Sequence, residues 1–286
     1  MNKLLFWGIA GVFCLLSSSC KPPQGTNAYR WISFNLRYDN AGDGMNSWEE
    51  RKSNVLHFIK AEQPDVIGMQ EVLHHQLEYL KNNLPDYAVA GVGRDDGKTR
   101  GEYSPIFYKK DLFKLEDCQT TWLSEYPDSI GYIGWDAACP RIATWARLQD
   151  KRNGKTVLAI NTHFDHQGKE AQMNSAKQII SRLEKHKGLP AVLTGDLNIT
   201  ESQQAYRILT GNSSPLEDTY KIAHKKEGVA YTYHNFNKLP HNERKKIDYI
   251  FVTSGIKAAC INIPQEETSP QRQISDHCPY IAVLEF

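Results

Sequence analysis

The sequence is short of several things, and each shortage closes off a class of function. It has no charge excess: 34 Lys and Arg stand against 33 Asp and Glu, so the broad positive field of a nucleic-acid-coating protein is missing. It has no apolar run of about 20 residues, the length a membrane-spanning helix needs; the stretch Leu4 to Leu16 covers only thirteen. Cysteines are few, six in 286 residues, and two of them, Cys14 and Cys20, fall within the first twenty positions. The other four, Cys118, Cys139, Cys260 and Cys278, form no Cys-x-x-Cys and no zinc-site spacing. An oxidising compartment would permit a Cys260–Cys278 bond; four buried thiols acting as small apolar residues are the equal alternative. What is present supports a packed core: 40% of residues are hydrophobic and 10% aromatic, beyond the range of disordered chains.

The first twenty residues read as an export leader. Lys3 supplies the positive start, an apolar stretch follows, and Ser17-Ser18-Ser19 precedes Cys20. The ending resembles a bacterial lipoprotein cleavage site, with Cys20 as the lipidated first residue, although Leu16 stands one place early. Residues 21–28, with Pro22, Pro23 and Gly25, read as a tether. Loss of Lys3 leaves 33 charges of each sign. Residues 29–286 show no internal linker or repeat and predict one domain. The expected location is the bacterial cell envelope, facing the periplasm or the exterior.

Along that domain, apolar runs alternate with helical patterns. Tyr29 to Asn35 predicts a strand, Ser47 opens a helix, and Val66 to Val72 is a buried strand with Glu71 at its end. A helix with Leu73, Leu77 and Leu80 on one face follows, and this order indicates an α/β fold. Further strands are predicted at 87–92, 104–108, 113–118, 142–148, 157–160, 191–193, 246–252 and 280–286, with helices at 169–187 and through Tyr206 and Leu209. The loop 93–101 is expected to be exposed and mobile; the longer loop 123–140 has the length of a functional loop.

Polar residues able to bind ions or move protons recur at the edges of these strands: Asn35, Glu71, His163, Asp196, Asn198, Asp248, Asp276 and His277. Each has a dull explanation as a turn, cap or hydrogen-bonded core residue. Strand ends converging on one crevice are, however, where α/β sheets place ligands. Asp196 and Asn198, two residues apart, would point the same way if the strand stayed extended through both.

Phe34-Asn35-Leu36, Met69-Gln70-Glu71-Val72, Asn161-Thr162-His163, Thr194-Gly195-Asp196-Leu197-Asn198, Ile247-Asp248-Tyr249-Ile250 and Ser275-Asp276-His277 resemble, in order, the motifs of the endonuclease/exonuclease/phosphatase superfamily. The resemblance covers the chain from residue 29 and is nearest the deadenylase-like branch. It implies a four-layer sandwich of two mixed β-sheets flanked by helices. It further implies Mg²⁺ or Mn²⁺ held by Glu71 with Asn35 and Asp276, hard oxygen donors suited to such ions. Asp196 would then orient or deprotonate the attacking water, Asn198 would fix that water or the phosphate, and His277, oriented by Asp248, would meet a phosphoryl oxygen. His163 would stabilise charge on the opposite side. Arg94, Arg100 and Arg141 are candidate phosphate-gripping forks.

The expected activity is therefore water attack on a phosphomonoester or phosphodiester, with a small soluble substrate favoured over nucleic acid. A nuclease would want a basic groove, yet the longest basic run is Arg244-Lys245-Lys246. The rival from another class is a non-catalytic binding lipoprotein on the same sandwich, disfavoured because every expected catalytic position holds a competent residue.

Overall fold

A computed structural model describes residues 20–21, 27–265 and 273–286. The leader expected at 1–20 and the tether at 21–28 lie outside the described residues, but for Cys20, Lys21, Asn27 and Ala28. Ala28 already pairs with Glu285, so the body starts one residue earlier than its sequence suggests.

The strands are β1 (Ala28–Asn35), β2 (Val66–Gln70), β3 (Tyr87–Ala90), β4 (Ile106–Lys109), β5 (Phe113–Trp122), β6 (Ile142–Asp150) and β7 (Thr156–His163). After them come β8 (Ala191–Asp196), β9 (Leu216–Asp218), β10 (Lys225–Gly228), β11 (Asp248–Thr253), β12 (Lys257–Ile263) and β13 (Tyr280–Glu285). They build a seven-stranded sheet ordered β10-β12-β13-β1-β2-β4-β3 and a six-stranded sheet ordered β5-β6-β7-β8-β11-β9. Both are mixed: β1 runs parallel to β2 and antiparallel to β13, while β7 runs parallel to β8 and β8 antiparallel to β11.

Alternation along the strands explains the layering. Tyr29, Trp31 and Val66 from one sheet meet Ala146, Val157, Val192 and Ile250 from the other in a central core. The opposite faces are covered by helices. α1 (Trp48–Glu62) and α2 (His74–Asn83) bring Val55, Phe58, Leu77 and Leu80 onto Ile32, Phe34, Ile67 and Met69. α3 (Lys169–Glu184) and α4 (Gln204–Thr210) bring Ala176, Ile179, Ala205 and Leu209 onto Leu158, Ile160, Leu193 and Phe251. The result is the four-layer sandwich.

A buried amide crosses the central core. Asn161 Nδ2 donates to the carbonyls of Met69 and Pro105, and its Oδ1 accepts from Gln70 Nε2 at 2.6 Å and Thr194 Oγ1 at 3.1 Å. Burying an amide costs free energy unless it is satisfied. Here the bonds join the two sheets just behind Glu71 and Asp196. Gly68 makes room for the contact: a Cβ there would lie 2.0 Å from Thr194 Oγ1.

The cysteines depart from both expectations. Cys260 is bonded to Cys20, not to Cys278, while Cys118 is exposed and Cys139 only half-buried. The disulfide uses the same sulfur that a lipid thioether on Cys20 would need, so the two are alternatives. The loop 93–101 is also tightly bonded rather than loose: Gly93 N, Arg94 N and Asp95 N donate to the carbonyls of Lys98, Glu102 and Arg100.

Candidate active site

The registers bring the strand-edge residues to one place. His163, the last residue of β7, stands opposite Asp196, the last of β8, and Asp248, the first of β11, stands opposite the same Asp196. Asn35 ends β1 beside Gln70, and Glu71 follows directly. Asp276 and His277 precede β13, where Ser275 Oγ donates to the Asn35 carbonyl at 2.7 Å. Arg37, Glu71 and Asn198 adopt left-handed backbone angles, with φ of 59°, 60° and 52°. Such angles are costly outside glycine and cluster at functional sites. The strand therefore does not stay extended from Asp196 to Asn198, and their shared direction comes from a turn in which Asn198 N donates to Asp196 Oδ1 at 2.9 Å.

Asp196 is the hub. Its Oδ2 accepts from Asn35 Nδ2 at 2.9 Å and has His163 Nε2 at 3.6 Å and His277 Nε2 at 3.7 Å. Asn35 Nδ2 also donates to Glu71 Oε1 at 3.0 Å, so one carboxamide joins a carboxylate from each sheet. His277 Nδ1 meets Asp248 Oδ2 at 2.8 Å, which leaves its Nε2 facing Asp196. Asp248 is fixed in turn by Thr232 Oγ1, which accepts from the amides of Ile247 and Asp248. Asn198 Nδ2 donates to the Phe164 carbonyl and to His163 Nε2 at 3.0 Å. That bond puts the His163 ring proton on Nδ1, facing Glu102 Oε2 at 3.8 Å. In this state His163 is an acceptor that holds Asn198, not a donor toward a ligand.

The electrostatics follow from burial. Burial would lower the His277 imidazolium, but Asp248 and Asp196 outweigh it and hold the group at about 10. Burial and then the Asp248 charge push the Asp196 carboxyl up to about 7. Asp276 is raised as well, chiefly by burial, with Glu71 adding to it against the pull of His277. His163 is held well below the usual imidazole range by burial and by the Arg141 and Arg94 charges. Carboxylates packed this closely out of water call for a positive partner. Ligand atoms of Glu71, His163 and Asp196 lie within 4.8 Å of one another, an oxygen-rich set that suits a hard divalent ion. Asp276 stands apart from that trio. Arg37 separates it from Glu71, with Nε 3.9 Å from Asp276 Oδ2 and Nη1 4.0 Å from Glu71 Oε2.

The candidate phosphate forks fare unevenly. Arg94 spends both terminal nitrogens on Glu102, at 2.8 and 2.9 Å. Arg141 is buried, with Nε on Asp165 at 3.2 Å and Nη2 against His166 Nδ1 at 2.9 Å. Both lie beside His163 but are already engaged. Arg100 is 75% exposed and pairs with Asp96, so it does not join the cluster. Two residues outside every motif do: Glu102, brought in by a turn, and Arg37. Two surface clefts of about 350 and 660 Å³ contain none of these residues and sit around Phe286.

Residues 32–277 match the profile of the Endonuclease/Exonuclease/phosphatase family. Among solved structures, an endonuclease/exonuclease/phosphatase from Bacteroides vulgatus is 49% identical, with a TM-score of 0.88 over 91% of this chain and 99% of the other. A mannosyl-6-phosphatase from Bacteroides thetaiotaomicron is 34% identical, with a TM-score of 0.83 over 90% of this chain and all (100%) of the other. Protein angel from Drosophila melanogaster is 25% identical over 228 residues, which span 74% of this chain but 61% of that protein.

Proposed function

The chain belongs to the endonuclease/exonuclease/phosphatase family, and on that premise we propose that it is an exported, Mg²⁺- or Mn²⁺-dependent hydrolase of small soluble phosphoesters. The observation that carries this reading is the convergence on Asp196 Oδ2 of Asn35, His163 and His277, drawn from strand edges of both sheets. A phosphatase among the similar structures supports the phosphoester part.

Hydrolysis needs a water in line with the leaving oxygen and stabilised charge on the phosphoryl oxygens. Asp196, fixed by Asn35 and by the Asn198 amide, is placed to accept a proton from that water. His277, its ring set by Asp248, offers Nε2–H to a phosphoryl oxygen. His163 and the Phe164 carbonyl take both Asn198 N–H groups and leave its Oδ1 to accept from the water. Glu71 and Asp196 are the carboxylates that would hold the divalent cation; Asn35, assigned to it from sequence, instead turns Nδ2 to both of them and gives Oδ1 to Arg37 N–H, and Asp276 lies beyond Arg37. When bound, such a cation supplies Lewis acidity and a template for the phosphate oxygens.

Export rests on residues 1–20, with the lipid anchor on Cys20 belonging to the reduced form of that sulfur. Nucleic acid is the second-ranked substrate, because the two arginines beside His163 are neutralised by Glu102 and Asp165 and leave little charge for a backbone groove. The test is a panel of p-nitrophenyl phosphate, bis-p-nitrophenyl phosphate, plasmid and sphingomyelin with Mg²⁺, Mn²⁺ or chelator. Turnover of a small ester that chelator abolishes and Mg²⁺ or Mn²⁺ restores is expected. Preferential cleavage of plasmid would replace the small-ester reading, and inertness toward every substrate with both metals would refute it.

A further inference from the structure

Arg37 belongs to no motif, yet the fold goes to some length to hold it. Its left-handed backbone is fixed by three bonds. Its N–H donates to Asn35 Oδ1 at 2.9 Å, and its carbonyl accepts from Arg51 Nη2 at 2.5 Å and Gln76 Nε2 at 3.1 Å. Arg51 is buried, and among the described residues its hydrogen bonds go to backbone carbonyls, also those of Leu36, Asn46 and Ile274. Residues that pack this much support behind one strained position mark a side chain whose direction matters.

That side chain turns toward the acid cluster. Nε and Nη2 form a fork on Asp43, both at 3.0 Å, and the guanidinium rests 4.5 Å from the Tyr38 ring centroid. Nη1 makes no hydrogen bond among the described residues and stands 4.0 Å from Glu71 Oε2. Of the arginines beside the acidic cluster, Arg94 and Arg51 have their terminal nitrogens taken, and the unpartnered Nη1 of Arg141 is closed off from solvent. Arg37, 21% exposed, keeps a donor edge that a ligand can reach.

We propose that Arg37 is a specificity-determining residue that grips a terminal phosphoryl oxygen, so that the site takes phosphomonoester dianions in preference to diester monoanions. The proposal rests on the phosphoester-hydrolase reading and deepens it. A monoester presents three terminal oxygens and two negative charges; a diester presents two oxygens and one charge. With His277 on one oxygen and a cation, when bound, on another, the free donor for the third among the described residues named above is Arg37 Nη1. An arginine edge fixed by Asp43 is suited to a charged oxygen and adds little for an alkylated one.

The test compares p-nitrophenyl phosphate with methyl p-nitrophenyl phosphate, which share a leaving group and differ by one methyl ester, using wild type, Arg37→Gln and Arg37→Lys with Mn²⁺. Wild type is expected to prefer the monoester. Arg37→Gln should lower kcat/KM about 100-fold on the monoester, the scale of losing one oxyanion donor, and less than about 5-fold on the methyl ester. It should also weaken inhibition by inorganic phosphate. Arg37→Lys, which keeps the charge but not the fork, should fall between and serves if the Gln variant fails to fold. Equal losses on both esters, or a wild type that prefers the diester, would overturn the proposal while leaving the hydrolase intact. A wild type inert to both esters would instead bring down the parent reading.

Discussion

Gly68 offers the sharpest test of how the sandwich sets the site. It lies on β2, three residues before Glu71, and faces Thr194, two residues before Asp196. A Cβ at this position would sit 2.0 Å from Thr194 Oγ1 and 2.7 Å from Asn161 Oδ1, where ordinary contact begins at 3.4 Å. Gly68→Ala must therefore open a gap of more than about 1 Å between the sheets locally, or turn Thr194 and break its bond to Asn161. Overpacking of this kind costs about 1–3 kcal/mol, and in a domain of this size each kcal/mol lowers Tm by about 2–4 °C. The sheets part where Glu71 and Asp196 must stay together, so turnover should suffer more than stability. A displacement of about 1 Å costs on the order of 100-fold in rate. Calorimetry together with kcat/KM on a small phosphoester reads both effects. Adding Thr194→Ala, which removes the nearest atom, should restore part of the Tm. A Gly68→Ala protein with wild-type Tm and turnover would refute the claim that this contact spaces the catalytic groups.

Three further outcomes are expected. Asp248→Asn should lower kcat about 10²- to 10³-fold with little change in KM, because it removes the charge that orients His277; turnover within threefold of wild type would disprove that role. Asp150→Asn should cost about 1–3 kcal/mol at neutral pH, since Asp150 accepts from Tyr29 Oη and the Arg152 fork. Burial pushes its carboxyl up, but the bonds from Arg152 and Tyr29 outweigh that and hold it below the usual range. Its contribution is thus present above about pH 4 and fades as pH falls through the depressed value. Denaturant curves of the two proteins should converge in acid, and a constant gap would contradict the argument. Peptide mass analysis of the oxidised protein should find Cys20 cross-linked to Cys260; lipid on Cys20 with an alkylatable Cys260 would overturn that pairing.

The strand tips are legible in the sequence because Asn35, Glu71, His163 and Asp196 each interrupt an apolar run that the core demands. Periodicity carries the alternation of strands and helices for the same reason, while the four-layer arrangement is what the family resemblance implies. Other parts hide from it. Lys225–Gly228 reads as Lys-Lys-Glu-Gly, a polar segment, yet it forms an edge strand because its backbone pairs with β12; edge strands carry no apolar signature of their own. β9 and α5 (Thr219–Ile222) are too short to show a period. The tight turn at 93–101 depends on cross-loop hydrogen bonds and on Gly101 at a positive φ, next to the Asp95 carboxylate. It delivers Glu102 to His163, a meeting of distant residues that no local pattern encodes. Arg37 is missed for a related reason: what marks it is a backbone angle and the support packed behind it.

Arg51 leaves a last consequence. Its guanidinium braces Leu36, Arg37, Asn46 and Ile274 through carbonyl groups and takes no carboxylate partner among the described residues; burial pulls it down only to about 10, so it stays ionised. The scaffolding behind the anionic cluster is thus built from the chain's own cation and its own carbonyl groups.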